Sequence, residues 1–237
     1  MKTKLITILL ALSLLSGCGT TAKFIYPAKG RNLIRFSDGP AYQKKVAVVP
    51  FEDMRGDKNQ CGTMFLYIIP LMPFGYVEYE RPDGARTFIS IYEFDFDMSE
   101  DLAKAAAYSL RKSNLFVDAF FTFGGDKENA QLLLEGEVFS TVYNGKTFSY
   151  GLSVFAPYLW LIGLPAGSSR NDIVLNLKLT DLTTEKRIWE KNYNLTHKIV
   201  LGLYYHYGHD VKGYTYMMQE IMNDAIEDMN REFQKKE

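Results

Sequence analysis

His206, His209 and Asp210 fall close together in Tyr204-Tyr205-His206-Tyr207-Gly208-His209-Asp210. Two imidazoles and a carboxylate are donors that zinc accepts, which makes these three residues the candidates for a metal site. Gly208 and the surrounding tyrosines read as a loop, however, and no distant ligand stands at a recognisable spacing, so no metal is assigned. Asp95 and Asp97 could work as an acid–base pair, but alternating with Phe94 and Phe96 they read as the wet face of a strand. Glu52, Asp53 and Asp57 read as turn residues. The spacings Gly-x-Ser-x-Gly, His-Glu-x-x-His and the phosphate loop do not occur. The expectation is a protein that is not an enzyme and carries no cofactor.

Cysteine points to other chemistry. Lys2 and Lys4 precede an apolar run over residues 5–15, which Ser16, Gly17 and Cys18 close. A positive start, a short apolar core and a small-residue exit make a cleavable signal peptide, and the run falls short of the roughly 20 residues of a spanning helix. Leu15-Ser16-Gly17-Cys18 resembles the lipobox of bacterial lipoproteins. That resemblance implies removal of residues 1–17 and acylation of Cys18, and several acyl chains anchor stably where one is marginal. Gly19 stands where an inner-membrane protein of this kind usually has Asp, so in a cell with two membranes the expected place is the outer membrane, facing the periplasm. Cys61 is the only other cysteine. It has no intrachain partner once Cys18 is lipidated, and reads as a buried or inert thiol.

The elements that would carry these residues come next. Processing leaves about 220 residues, enough for one domain. Apolar residues make up 47% of the chain, which suffices for a substantial core. Loss of Lys2 and Lys4 takes the formal charge from −1 to about −3, which argues against nucleic acid. Residues 18–43 carry Pro27, Gly30, Gly39 and Pro40 without periodicity and read as a flexible linker with a reach of roughly 25–30 Å. The single folded domain is expected over residues 44–237. It opens on a strand at residues 44–51, buried on both faces, followed by a helix from Ser99 to Lys112 that Ser99 can cap and Asn114 stops. Strands are expected at residues 115–123, 131–143, 173–179 and 187–195, the last two forming a hairpin through the turn after Asp181. A closing helix at residues 214–235 carries a stripe of Met217, Met218, Ile221, Met222, Ala225, Ile226, Met229 and Phe233, which reads as core. A first crossover through a helix and a late hairpin together give a mixed parallel and antiparallel α/β sheet with two main helices packed on it.

The lipobox, the run Val46-Ala47-Val48-Val49-Pro50-Phe51-Glu52-Asp53, the helix from Ser99 to Lys112, the strand at residues 132–142 and the hairpin with its Asp181 turn resemble a group of periplasm-facing lipoproteins. This group includes the curli secretion-channel lipoprotein, the lipoprotein activators of peptidoglycan synthases and the amino-terminal domain of TolB. The resemblance implies a non-catalytic part in envelope assembly. The long segment at residues 57–97 departs from the group, so no partner carries over.

Two apolar insertions stand out: residues 64–77, with Phe65, Tyr67, Ile68 and Phe74, and residues 153–165, with Phe155, Tyr158, Trp160 and Leu161. Pro70, Pro73, Pro157 and Pro165 rule out a continuous helix through either. They either pack on the sheet and on each other, or form an exposed patch that meets a protein partner or the membrane surface. Parallel first and third strands would bring both to one end of the sheet, opposite the entry of the tether. Around Arg81-Pro82-Asp83-Gly84, residues 77–92 read as an ordinary extra hairpin, its arms short for a membrane-spanning one. The leading expectation is a lipid-anchored accessory module that binds an envelope protein. The alternatives are an oligomeric secretion or assembly component with these loops between subunits, and a periplasmic hydrolase or metal-binding enzyme.

Overall fold

The computed structural model describes residues 21–36, 39–56, 60–85, 88–91, 93–125 and 127–235. Residues 1–17, expected to be a signal peptide, Cys18 and Asp57 lie outside the described residues. In chain order the elements are β1 (Thr21–Lys23), β2 (Tyr42–Val48), β3 (Glu52–Asp53), β4 (Gln60–Gly62), β5 (Phe74–Tyr79), β6 (Glu93–Asp95), α1 (Met98–Ser113), β7 (Phe116–Phe121), β8 (Leu132–Ser140), β9 (Tyr143–Phe148), α2 (Ala156–Leu161), β10 (Gly167–Asp181), β11 (Lys186–Leu201) and α3 (Gly213–Gln234). The fold is the mixed α/β class expected, with more strands than the sequence suggests.

The hairpin β10–β11 is the spine, in register from Asp181↔Lys186 to Gly167↔Leu201. Along the other flank of β10 run β8 and then β9, both antiparallel to it, from Leu132↔Asp181 to Thr147↔Gly167. At one end β2 lies parallel to β8 and to β7. At the other end β5 pairs antiparallel with β9, from Tyr79↔Tyr143 to Phe74↔Phe148, and β4 pairs with β5. The strand partners of β5 are therefore β9 and β4. Among the described residues the hairpin expected around Arg81–Gly84 does not appear, and Pro82–Gly84 is a short 3₁₀ turn.

Helices α1 and α3 cover one face. The apolar side of α1 is buried through Leu102, Ala106 and Leu110, and the stripe of α3 from Met217 to Met229 is buried as expected. Asp97 caps α1 by accepting the Glu100 amide at 3.0 Å, an arrangement suited to the orphan N–H groups of a first turn. Ser99, the expected cap, instead donates its hydroxyl to the Phe51 carbonyl. Asn114 ends α1 in the left-handed region at φ 59°. Phe51 lies flat on β8 at Gly136, where a Cβ would stand 2.6 Å from its ring.

The largest departure from expectation concerns the linker. Residues 21–36 are not free: they form a strap over the helix layer. β1 pairs parallel with β6. Phe24 stacks on Phe96 at 5.1 Å, Tyr26 bonds Ser109, and Ala28 is buried with its amide donating to Gln219. The strap continues past Asn223 to Phe36, whose amide reaches the Ser113 carbonyl at the far end of α1. Four aromatic or aliphatic side chains, Phe24, Tyr26, Ile34 and Phe36, pack on the core and hold it down.

Candidate binding surface

Because β5, β9, β10 and β11 all reach one end of the sheet, the chain between them collects there. Residues 64–68 form a 3₁₀ turn ahead of β5, residues 149–166 link β9 to β10 and contain α2, and residues 202–212 link β11 to α3. The first two segments share an end, as expected from the parallel β2 and β8. The third joins them without having been expected.

Polar groups lock the three together. Leu71 N–H donates to Gly151 O at 2.9 Å, Ser153 Oγ to Ile68 O at 2.5 Å, and Tyr204 Oη to Leu161 O at 2.8 Å. Trp160 Nε1 donates to Phe148 O at 3.1 Å, and its ring meets Tyr67 at 6.1 Å between centroids. Phe74 is half-buried under Lys146, whose ammonium lies 4.8 Å from the ring centre. Tyr67, Phe74 and Trp160 therefore form the support of the end, and burial raises the Tyr67 hydroxyl above its ordinary pKa.

The outward side is apolar. Phe65, Ile68, Phe155, Tyr158 and Leu161 are all more than half exposed, and Leu71 and Ile162 reach 88% and 76%. Leu71, Ile162, Val154, Tyr204 and Tyr207 were not singled out in the sequence, although their neighbours were. Among the described residues, six non-glycine positions have positive φ, and four of them (Leu71, Tyr150, Ser153 and His206) lie in these loops. Left-handed backbone at such residues persists only where surrounding structure holds it. This end is thus a built surface and not a slack one.

The metal candidates do not converge. His206 Nδ1 lies 3.0 Å from the Val200 carbonyl, and the rings of His206 and His209 are 5.8 Å apart. Asp210 turns the other way and is fully buried. It accepts from the Ser90 amide at 3.0 Å, from the Ser90 hydroxyl, and from Tyr143 Oη at 3.4 Å. Burial pushes the Asp210 carboxyl above the usual carboxylate range, and burial followed by Lys212 lowers His209. Among the described residues no group of three metal donors forms.

Asp53, Asp83 and Asp95 have structural partners. Asp53 and Asp83 clamp the buried Arg55 guanidinium, with contacts of 2.7 to 3.0 Å, and Thr141 accepts from it as well. Arg55 holds Asp53 below its ordinary pKa. Asp95 pairs with Lys23 of the strap at 3.3 Å.

No family model and no curated protein matches the chain. Among solved structures it is similar to protein XCC0632 from Xanthomonas campestris, of the DUF330 family model, at 9% identity and TM-score 0.49, over 92% of this chain and 98% of that one. It is also similar to the PelC dodecamer from Paraburkholderia phytofirmans, at 14% identity and TM-score 0.36, over 79% and 93%. A Helicobacter pylori homolog of neuraminyllactose-binding hemagglutinin follows at 12% and 0.38, over 86% and 92%. Likenesses this remote decide neither family nor function.

Proposed function

We propose that the chain is a non-catalytic accessory module of the bacterial envelope, anchored by acyl chains on Cys18 to the outer membrane, facing the periplasm, and acting by contact through the apolar end described above. The observation that carries this reading is the exposure of Phe155, Tyr158, Leu161 and Ile162 on a support that hydrogen bonds hold rigid. Contiguous exposed apolar surface on a well-ordered domain marks an interaction site. The lipobox and the resemblance to periplasm-facing lipoproteins support the location and the non-catalytic role.

The test is photocrosslinking in cells from Ile162, with Val117 as an exposed control on a strand at the far end of the sheet. A discrete adduct with one envelope component, protein or lipid, from Ile162 and none from Val117 is the expected result. Equal labelling from both positions, or neither a protein nor a lipid adduct from either in folded and membrane-bound protein, would overturn the reading.

A further inference from the structure

We infer that the apolar end is seated on the membrane itself, its tip in the interfacial layer of an anionic bilayer. This deepens the proposed function by naming what the surface meets.

Four observations carry it. First, residues 60–77, 147–169 and 199–209, which build the end, contain no Asp, Glu, Lys or Arg. Surfaces that bind proteins keep a polar rim and offer hydrogen bonds to the partner. In this end Ser153, Trp160 and Tyr204 turn their polar groups onto neighbouring carbonyls, leaving side chains such as Phe155 and Ile162 outward. Backbone and side-chain polar groups satisfied internally are what lipid demands.

Second, the charge pattern below the tip is one-sided. Descending from the tip, the first charged residue is Lys146 on β9, Arg170 on β10 and Lys198 on β11, and only β5 meets an acid, Glu78. Register places Lys198 beside Arg170 and Asn144, with Lys146 one step above, on the sheet face away from the helices. There they line a groove of about 430 Å³. Arg170 shares its charge with Asp172 at 2.9 Å. A basic patch on one face just below an apolar tip suits contact with anionic headgroups, and each cation near such a surface adds attraction.

Third, Tyr158 and Tyr207, 67% and 58% exposed, supply rings that are apolar in body and polar at the tip, the kind that gather at membrane interfaces.

Fourth, the chain enters on the correct side. The strap begins at Thr21 beside Glu93, and Lys23 shares a cleft with Lys212, the residue that closes the loop running down from the tip. Cys18 is three residues before Thr21, so its Cα lies within roughly 11 Å of Thr21 however the chain runs. An anchor so close to the domain holds it against the bilayer.

The test is flotation of a chain beginning at Gly19, which keeps every described element but carries neither leader nor lipid. The vesicles are pure phosphatidylcholine or a 70:30 mixture with phosphatidylglycerol, and light scattering is run in parallel without lipid. The expected result is flotation with the anionic vesicles, weakening as salt is added. Phe155→Asp with Ile162→Asp is expected to cut partitioning by about tenfold or more. Lys146→Glu with Lys198→Glu is expected to remove the preference for phosphatidylglycerol. Both variants are expected to melt as the parent does. Quenching of the parent's Trp160 by brominated lipid, lost in Trp160→Phe, reads the same contact without relying on the charge variants. No flotation of the parent, or flotation indifferent to the tip variants, would overturn the inference. Self-association through the tip in solution, or an adduct from Ile162 to an envelope protein, would overturn it as well while leaving the proposed function standing.

Discussion

Burial of the Asp210 carboxyl between Ser90 and Tyr143 sets its titration against the fold. Its folded pKa stands above the ordinary 3.8. The stability it contributes is therefore complete below that value and lost as pH rises through the folded one. Asp210→Asn lacks this dependence, so the parent should gain stability relative to the variant as pH falls from neutral toward the ordinary value, measured by urea unfolding at each pH. Arg55 is the opposite case, a buried cation with two carboxylates as partners. Arg55→Met leaves Asp53 and Asp83 facing each other and should cost about 3 kcal/mol in the same measurement. Neither role was legible in sequence. His206, His209 and Asp210 are neighbours in the chain, but His206 at φ 55° and Gly208 at φ 73° turn the backbone, so the acid points into the core and the imidazoles point out. The clamp on Arg55 joins Asp53, Asp83 and Thr141, residues that only the folded sheet brings together.

The strap is where an element was misread. Phe24 and Tyr26, like Ile34 and Phe36, stand two apart as in a strand, but each pair is too short to mark one, and the prolines and glycines between them look like linker punctuation. Their partners on α1 and α3 are distant in sequence. If residues 19–36 were a linker, deleting them would leave stability unchanged. As a packed strap they should contribute on the order of 4 kcal/mol, from the partial burial of Phe24, Tyr26, Ile34 and Phe36, and calorimetry of the shortened chain checks this. The apolar loops make the converse prediction. Ile162 is 76% exposed, so Ile162→Asp should change stability by no more than about 0.5 kcal/mol. Elements with clear patterning were read well: α1 ends at Asn114, the α3 stripe is buried, and β10 and β11 pair as a hairpin, longer than the alternation alone revealed.

Across the whole molecule, the parallel pairing of β2 with β7 follows from the crossover through α1, and the antiparallel spine follows from the hairpin. The β4–β5–β9 edge was hidden, because β5 overlaps a run too apolar for alternation to show and β9, apart from Tyr143, lies beyond the strand expected at residues 131–143. Anchoring is the property that belongs to this scale. Cys18→Ala should move the protein to the soluble periplasm or leave its precursor unprocessed, which cell fractionation reports. The shortness of the chain between Cys18 and the strap then changes what the lipid accomplishes. A long leash would let the domain sample a wide volume, and each return of the tip to the bilayer would be a fresh encounter. On the proposed reading, with only Gly19 and Thr20 between Cys18 and the strap, acyl chains and tip act as two feet of one bivalent attachment, the second held at high effective concentration by the first. Even a weak tip then stays down, and the domain keeps one attitude toward the membrane. A flexible spacer inserted after Gly19 would let it tumble while leaving both feet intact.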